Sequence, residues 1–388
     1  MHDPGGATAM NFDRLAETLV AHGIPGAVVM VANRAGVVAE AALGTRAPGG
    51  APMPLDAKFQ IASMTKAITS VAAMQLVEQG RLSLDAPIGD VLPELADAKV
   101  LTGFADDGAP ILRAAARPIT LRHLLSHTSG LGYEFMHADL VRYRAAVPAT
   151  PFSRASLVAP LHNDPGEAWL YGTSTDWVGL AVEAASGMKL SEWFQRHIFA
   201  PLGMADTGFT TPQAAGDRLV PLQARTPGGM VAMPVSFNGG AGAEYDSGGG
   251  GLTSTAQDYM RFVRMLLNNG ALDGARILSA DSIAEMTRNQ IGDLRAGVLE
   301  TTVPGMSSTL EWFPEMTAKW GLGFLINPET TKDGRTAGSQ AWAGIANSYY
   351  WFDPAADVAG VLMMQFMPFG DPGAFAALSA FEQAVYGG

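Results

Sequence analysis

Cysteine is absent from the 388-residue chain. That excludes disulfides, thiolate metal ligands and a cysteine nucleophile. Charge is sparse and one-sided, with 25 Lys and Arg against 37 Asp and Glu, a net charge of −12. Such a balance argues against nucleic acid or an anionic membrane surface as the main partner. No apolar run approaches membrane-spanning length. Met1–Gly6 carries no basic region followed by an apolar stretch, so no secretory leader is expected and the expected location is cytoplasmic. His-Glu-x-x-His and Gly-x-Ser-x-Gly are both missing, so neither a zinc hydrolase nor an α/β-hydrolase triad has support. The glycine-dense stretch Gly239–Gly251 is not followed by Gly-Lys-Ser/Thr. Tight turns or close backbone packing explain it better than phosphate binding. His123 and His127 lie one helical turn apart without a third ligand nearby, so structural hydrogen bonding is expected of both. No internal repeat or low-complexity tract is evident.

Hydrophobic residues make up 48% of the chain, enough for a large core. Phe12, Leu15, Ala16, Leu19 and Val20 have helical spacing, with Asn11 to cap that helix and Gly23 to end it. Ala27–Ala32 and Val37–Leu43 read as a hairpin buried on both faces. A helix then runs from Ser63 to about Gly80. From Leu82 to about Met204, short helical patterns are broken by Pro and Gly, with little sign of paired strands. Ala205–Asn238 is loop-like. Thr255–Leu267 reads as a helix, Gly321–Ile326, Gln340–Ile345, Ser348–Phe352 and Val358–Phe366 as an antiparallel meander, and Ala374–Tyr386 as a closing helix. The N-terminal hairpin needs partners, and the meander can supply them. The expected fold is therefore α/β plus all-α. Residues 1–80 and 235–388 form one α/β domain, an antiparallel sheet flanked by helices, and residues 81–234 form a mainly helical insertion.

Ser63-Met64-Thr65-Lys66 is the stretch with chemistry in it. Three residues is almost one helical turn, so the hydroxyl and the amine share a face. A serine in a first helical turn also has a free backbone N–H at the positive end of the helix dipole. One turn then offers a nucleophile, a base and an oxyanion donor. Ser186-Gly187-Met188-Lys189 has the same spacing, but it closes an apolar-periodic segment and glycine follows, so it reads as a helix end. Spacing alone favours a capping serine with a solvated lysine even at Ser63.

Four further stretches agree in order with one family. His123–Leu131 reads HLLSHTSGL, Pro165–Tyr171 reads PGEAWLY, Pro201–Phe209 reads PLGMADTGF, and Ser247–Phe262 reads SGGGGLTSTAQDYMRF. Together with Phe59–Lys66, the chain resembles the serine β-lactamase and penicillin-binding-protein superfamily, in its class C-like branch. Within that branch it looks most like family VIII carboxylesterases. The resemblance spans about residues 12–385 and implies a β-lactamase-like fold. It makes Ser63 the nucleophile, Lys66 its partner in proton transfer and Tyr171 the second base. By residue type alone Tyr133 and Tyr245 are equally eligible. The superfamily's Tyr-x-Asn is here Tyr171-Gly172-Thr173, without the amide. Its Lys-Thr-Gly is matched by Trp342-Ala343-Gly344, where an apolar wall replaces a cation suited to a carboxylate. Ile345 would give the second oxyanion N–H beside that of Ser63. Trp342, Gly344, Thr173, Tyr133 and Tyr245 are the expected substrate-binding residues.

These residues imply a serine carboxylesterase acting on short to medium acyl esters, with a small-molecule partner and no metal or organic cofactor. A β-lactamase, a D-alanyl peptidase or an acyltransferase on the same site is the alternative. A non-catalytic ligand-binding or sensor module on the same fold is the alternative of a different class.

Overall fold

The computed structural model describes residues 10–387. The leader reading of Met1–Gly6 therefore lies outside the described residues. A seven-stranded antiparallel sheet forms the centre. Its strands are β1 (Gly26–Ala32), β2 (Val37–Gly44), β3 (Lys319–Trp320), β4 (Leu325–Ile326), β5 (Gln340–Gly344), β6 (Ser348–Asp353) and β7 (Val358–Met363), in the order β3-β4-β5-β6-β7-β1-β2. Both chain ends thus contribute, joined where β1 pairs with β7. The strand β1 is buried throughout. The sequence reading of a doubly buried hairpin fails for β2, an edge strand with Val37 and Val38 about half exposed. Alternation along an apolar strand does not tell which end of a sheet it occupies.

Helices cover both faces. Successive side chains on β6 point opposite ways. Tyr350 meets Tyr259 of the helix Ala256–Leu267 at 5.2 Å, and Trp351 meets Phe381 of the helix Pro372–Tyr386 at 5.1 Å. Thr255 caps the first of these by accepting from Asp258 N–H, and Asp371 caps the second through Gly373 and Ala374 N–H. The helix Thr65–Glu78 is buried on all sides over Thr65–Leu76, as its mix of Ala, Ile, Val and Thr permits. It lies against the helix Ser174–Ser186 from the middle of the chain. Ser186 indeed closes that helix, with Gly187 at φ 72° and Lys189 exposed.

The middle of the chain holds more strand than its sequence suggests. Lys99–Phe104 and Pro110–Ala114 pair as a hairpin, and so do Gln223–Thr226 and Gly229–Ala232. Both are short, and the first is interrupted by an irregularity between Leu101 and Gly103. Lys58–Gln60 pairs with Thr253–Thr255, bringing the entry to Ser63 beside the glycine-rich stretch. Among the described residues no helix is long and apolar enough to cross a membrane.

Candidate active site

Ser63 sits in a 3-10 turn, Ala62–Met64, immediately before the buried helix. Ala62 takes φ +44°, a left-handed conformation that costs energy for any residue with a Cβ. The turn is held on one side by the end of β5. A Cβ on Gly344 would fall 2.4 Å from the Ile61 carbonyl oxygen, so the two backbones touch there. Gly344→Ala should therefore force the turn and the strand apart. We expect a loss of about 1–3 kcal/mol in thermal unfolding, with a fall in turnover, because the contact is backbone against backbone and neither side can yield cheaply.

Lys66 is 1% exposed, which rules out the solvated lysine that spacing alone favoured. Its Nζ lies 3.2 Å from Ser63 Oγ, 2.9 Å from Tyr133 Oη and 2.7 Å from the Gly249 carbonyl oxygen. The glycine-rich stretch is thus a close-packed strap on the helix carrying Lys66. Thr69 Oγ1 donates to Gly248 O at 2.7 Å, and Leu252 N–H donates to Thr65 Oγ1 at 3.2 Å. A Cβ on Gly249 would stand 2.4 Å from Asp176 Oδ2.

Asp176 is the neighbour of this site that sequence reasoning missed. It is buried, and its Oδ1 accepts from Ser247 Oγ–H at 2.7 Å and from Gly249 N–H at 3.0 Å. The carboxylate so fixes the strap whose carbonyl holds Lys66. Its one sequence signal is position, in the first turn of a helix soon after Tyr171, where an acidic residue is ordinary. Its partners lie 71 and 73 residues away.

The tyrosines divide their contacts. Tyr133 Oη is on Lys66, whereas Tyr171 Oη accepts from Trp342 Nε1–H at 3.0 Å. Lys66 Nζ stands 4.8 Å from the centre of the Tyr171 ring. Burial, then the nearby Asp176, pushes the Tyr133 hydroxyl well above its ordinary pKa, so it stays a phenol at neutral pH. Tyr245 is raised for the same two reasons. Ser63, Tyr133, Tyr171, Thr173, Tyr245, Trp342, Gly344 and Ile345 all line one cavity of about 360 Å³. Its other walls include Phe152, Phe237, Met306 and Phe369. The Ile345 side chain packs against the small core cluster of Leu222, Ala346 and Met367.

Among the described residues, the cavity has no free cation at its wall. Arg144 gives Nε–H to Glu134 Oε1 at 2.8 Å and Nη2–H to Ser156 O at 2.9 Å, so it braces the loop and is not open to a ligand. His123 is structural, as expected: it completes a capping box with Thr120. His127 departs from expectation. It is buried at φ +56°, with no partner on Nδ1 among the described residues. Burial, then Lys66, holds its pKa well below the ordinary value, so it is neutral.

The segment carrying Tyr133 rests on a histidine pair. His137 and His162 pack with ring centres 4.4 Å apart. Burial, then His162, pushes His137 down to about 4 from 6.5, while Asp139 opposes the shift. The unfolded chain therefore binds this proton first as pH falls. As pH falls, stability should drop between about 6.5 and 4 and lose nothing further to this group below that. Unfolding midpoints for wild type and His137→Gln test this. A variant curve as steep as wild type through that window would assign the acid loss elsewhere.

A serine and a buried lysine on a helix between an antiparallel sheet and a helical region define the β-lactamase-like class of fold. The chain belongs to the Beta-lactamase family, whose model matches residues 12–384. It is 34% identical over 332 residues to lovastatin esterase of Penicillium rubens, covering 81% of each chain. It is 33% identical over 347 residues to an ML-236A carboxylate methylbutanoyltransferase of Penicillium citrinum, covering 86% of this chain and 82% of that one. Among solved structures it resembles a mutant of simvastatin synthase from Aspergillus terreus. The TM-score is 0.81 and the identity 30%, with 96% of this chain and 93% of that chain covered. Relatives of this kind carry esterase and acyltransferase names on one fold.

Proposed function

We propose that the protein is a serine carboxylesterase of the family VIII type, working through an acyl-enzyme on Ser63. The observation that carries this is Lys66 Nζ, buried, at 3.2 Å from Ser63 Oγ, with Ser63 lining an apolar cavity. A neutral amine has two N–H groups and one lone pair. Gly249 O can only accept, and the Tyr133 phenol is within reach of the second N–H. The lone pair is then left facing Ser63 Oγ and can take its proton. Ser63 Oγ bonds to the ester carbonyl carbon, and the backbone N–H groups of Ser63 and Ile345 serve the oxyanion. The alcohol departs, and water releases the acid by the same steps in reverse.

The substrate we propose is a neutral ester of short to medium acyl chain. Every charged wall group is already paired, so a substrate carboxylate would lose its water and gain no counter-ion. The same walls argue against β-lactamase and D-alanyl peptidase activity, whose substrates carry a carboxylate. Acyl transfer to an alcohol is the second reading, favoured by the similarity to a methylbutanoyltransferase.

One experiment addresses these points. Purified protein is given p-nitrophenyl butyrate, with and without added alcohol acceptors, and its adduct with a covalent acylating inhibitor is mapped by peptide mass. An adduct on Ser63 with acid as the main product supports the esterase. A dominant transfer product makes the protein an acyltransferase on the same site. Ligand binding with no covalent adduct would move the non-catalytic module to first place.

A further inference from the structure

We propose that Trp342 is a positioning residue for Tyr171, and that its indole N–H holds the phenolic oxygen while that oxygen carries charge. This rests on the ester reaction proposed above. It goes beyond the role of Trp342 as an apolar wall.

The three neighbours of Lys66 Nζ are Ser63, Tyr133 and Gly249, so no N–H of Lys66 reaches Tyr171 Oη. Trp342 Nε1–H, at 3.0 Å, is the donor recorded to that oxygen among the described residues. The donor is rigid. Trp342 is 2% exposed, stacked on Trp312 at 5.2 Å and met edge-on by Trp320 at 4.6 Å. Trp320 is itself pinned by its Nε1–H to Leu125 O at 3.1 Å. The indole cannot turn away without displacing two other tryptophans. A fixed donor of this kind needs no reorganisation when charge develops.

The Tyr171 hydroxyl has no acceptor for its own proton among the described residues, and it lines the cavity with Ser63. It is therefore free to give that proton to the departing alkoxide. In that step the bond from carbonyl carbon to leaving oxygen breaks, and the leaving oxygen takes the Tyr171 proton. The resulting phenolate keeps the Trp342 N–H as its partner. Once the alcohol has left, the water that enters for deacylation takes the proton Lys66 holds and gives one to the phenolate, so both groups are restored. A hydrogen bond to the charged form of an acid favours that form. Trp342 so supplies with a neutral N–H part of what a cation would otherwise supply, and adds no charge to an apolar pocket.

The test places benzothienylalanine at position 342, which keeps the bicyclic shape and replaces the N–H by sulfur. We expect kcat for p-nitrophenyl butyrate to fall about 10- to 100-fold, as for loss of one hydrogen bond to a charged group. KM and the thermal midpoint should stay near wild type. The falling limb of the pH–rate profile, where a required acid is lost, should move to higher pH, which a purely structural loss would not cause. Unchanged kcat and an unchanged limb would overturn the proposal. A second readout needs no turnover: the Trp342 indole N–H resonance, assigned by its loss in Trp342→Phe, should shift in Tyr171→Phe. A resonance that stays in place overturns the proposal as well. If wild type shows no turnover beyond that of Ser63→Ala, the ester reaction itself falls. Normal wild-type turnover matched by the analogue removes only the role of Trp342.

Discussion

Ser63→Ala should lose ester turnover by about 10⁴-fold or more, since removing the nucleophile of a hydroxyl-based hydrolase removes the covalent route altogether. What remains would come from binding and the oxyanion donors acting on water. The side chain lines the cavity in a turn whose position is set by the backbone, through Ala62 and the contact of Ile61 with Gly344. Removing one oxygen there should leave the fold and its thermal midpoint close to wild type. The inhibitor adduct should vanish with the turnover. A variant that kept its turnover would move the active site elsewhere in the molecule.

Lys66→Met should lower kcat by about 1000-fold, within the usual range for a general base. Methionine matches the length of the lysine stem but offers no basic nitrogen to Ser63 and no N–H to Gly249 or Tyr133. Two costs follow. The Ser63 proton has no acceptor at 3.2 Å, and the Gly249 carbonyl loses a buried donor. The first cost appears in kcat. The second appears as lower stability, of about 1–3 kcal/mol for one buried unsatisfied group. Measuring both separates them. A variant that lost stability but kept kcat would show Lys66 to be a strut and Tyr171 or Tyr133 the base. Arginine at this position is no control, because its guanidinium cannot give up its proton to become a base.

Helices and strand pairs are legible in the sequence in different ways. Helices with a cap, a periodic face and a glycine end were visible directly: the helix Ser174–Ser186 closing at Gly187, and the helix Ala256–Leu267 opening at Thr255. These are local effects of residues within a few positions of one another. Strand pairing was legible only where the segments were long and apolar. Hairpins such as Lys99–Phe104 with Pro110–Ala114 were missed because a short, irregular strand has no period to read.

At the site, sequence alone determined that Ser63 and Lys66 could share one face of a helix, because that depends only on 3.6 residues per turn. It determined that no thiol takes part and that Ser186 closes a helix. Tertiary structure alone decided that Lys66 is buried, that its amine bonds the Tyr133 hydroxyl and not that of Tyr171, and that Trp342 donates to Tyr171. It alone brought Asp176 to Gly249. Each of these joins residues far apart in the chain. Side-chain chemistry makes such contacts possible for any of eight tyrosines or seven tryptophans. Only the packing of helix, strap and sheet selects the ones that form.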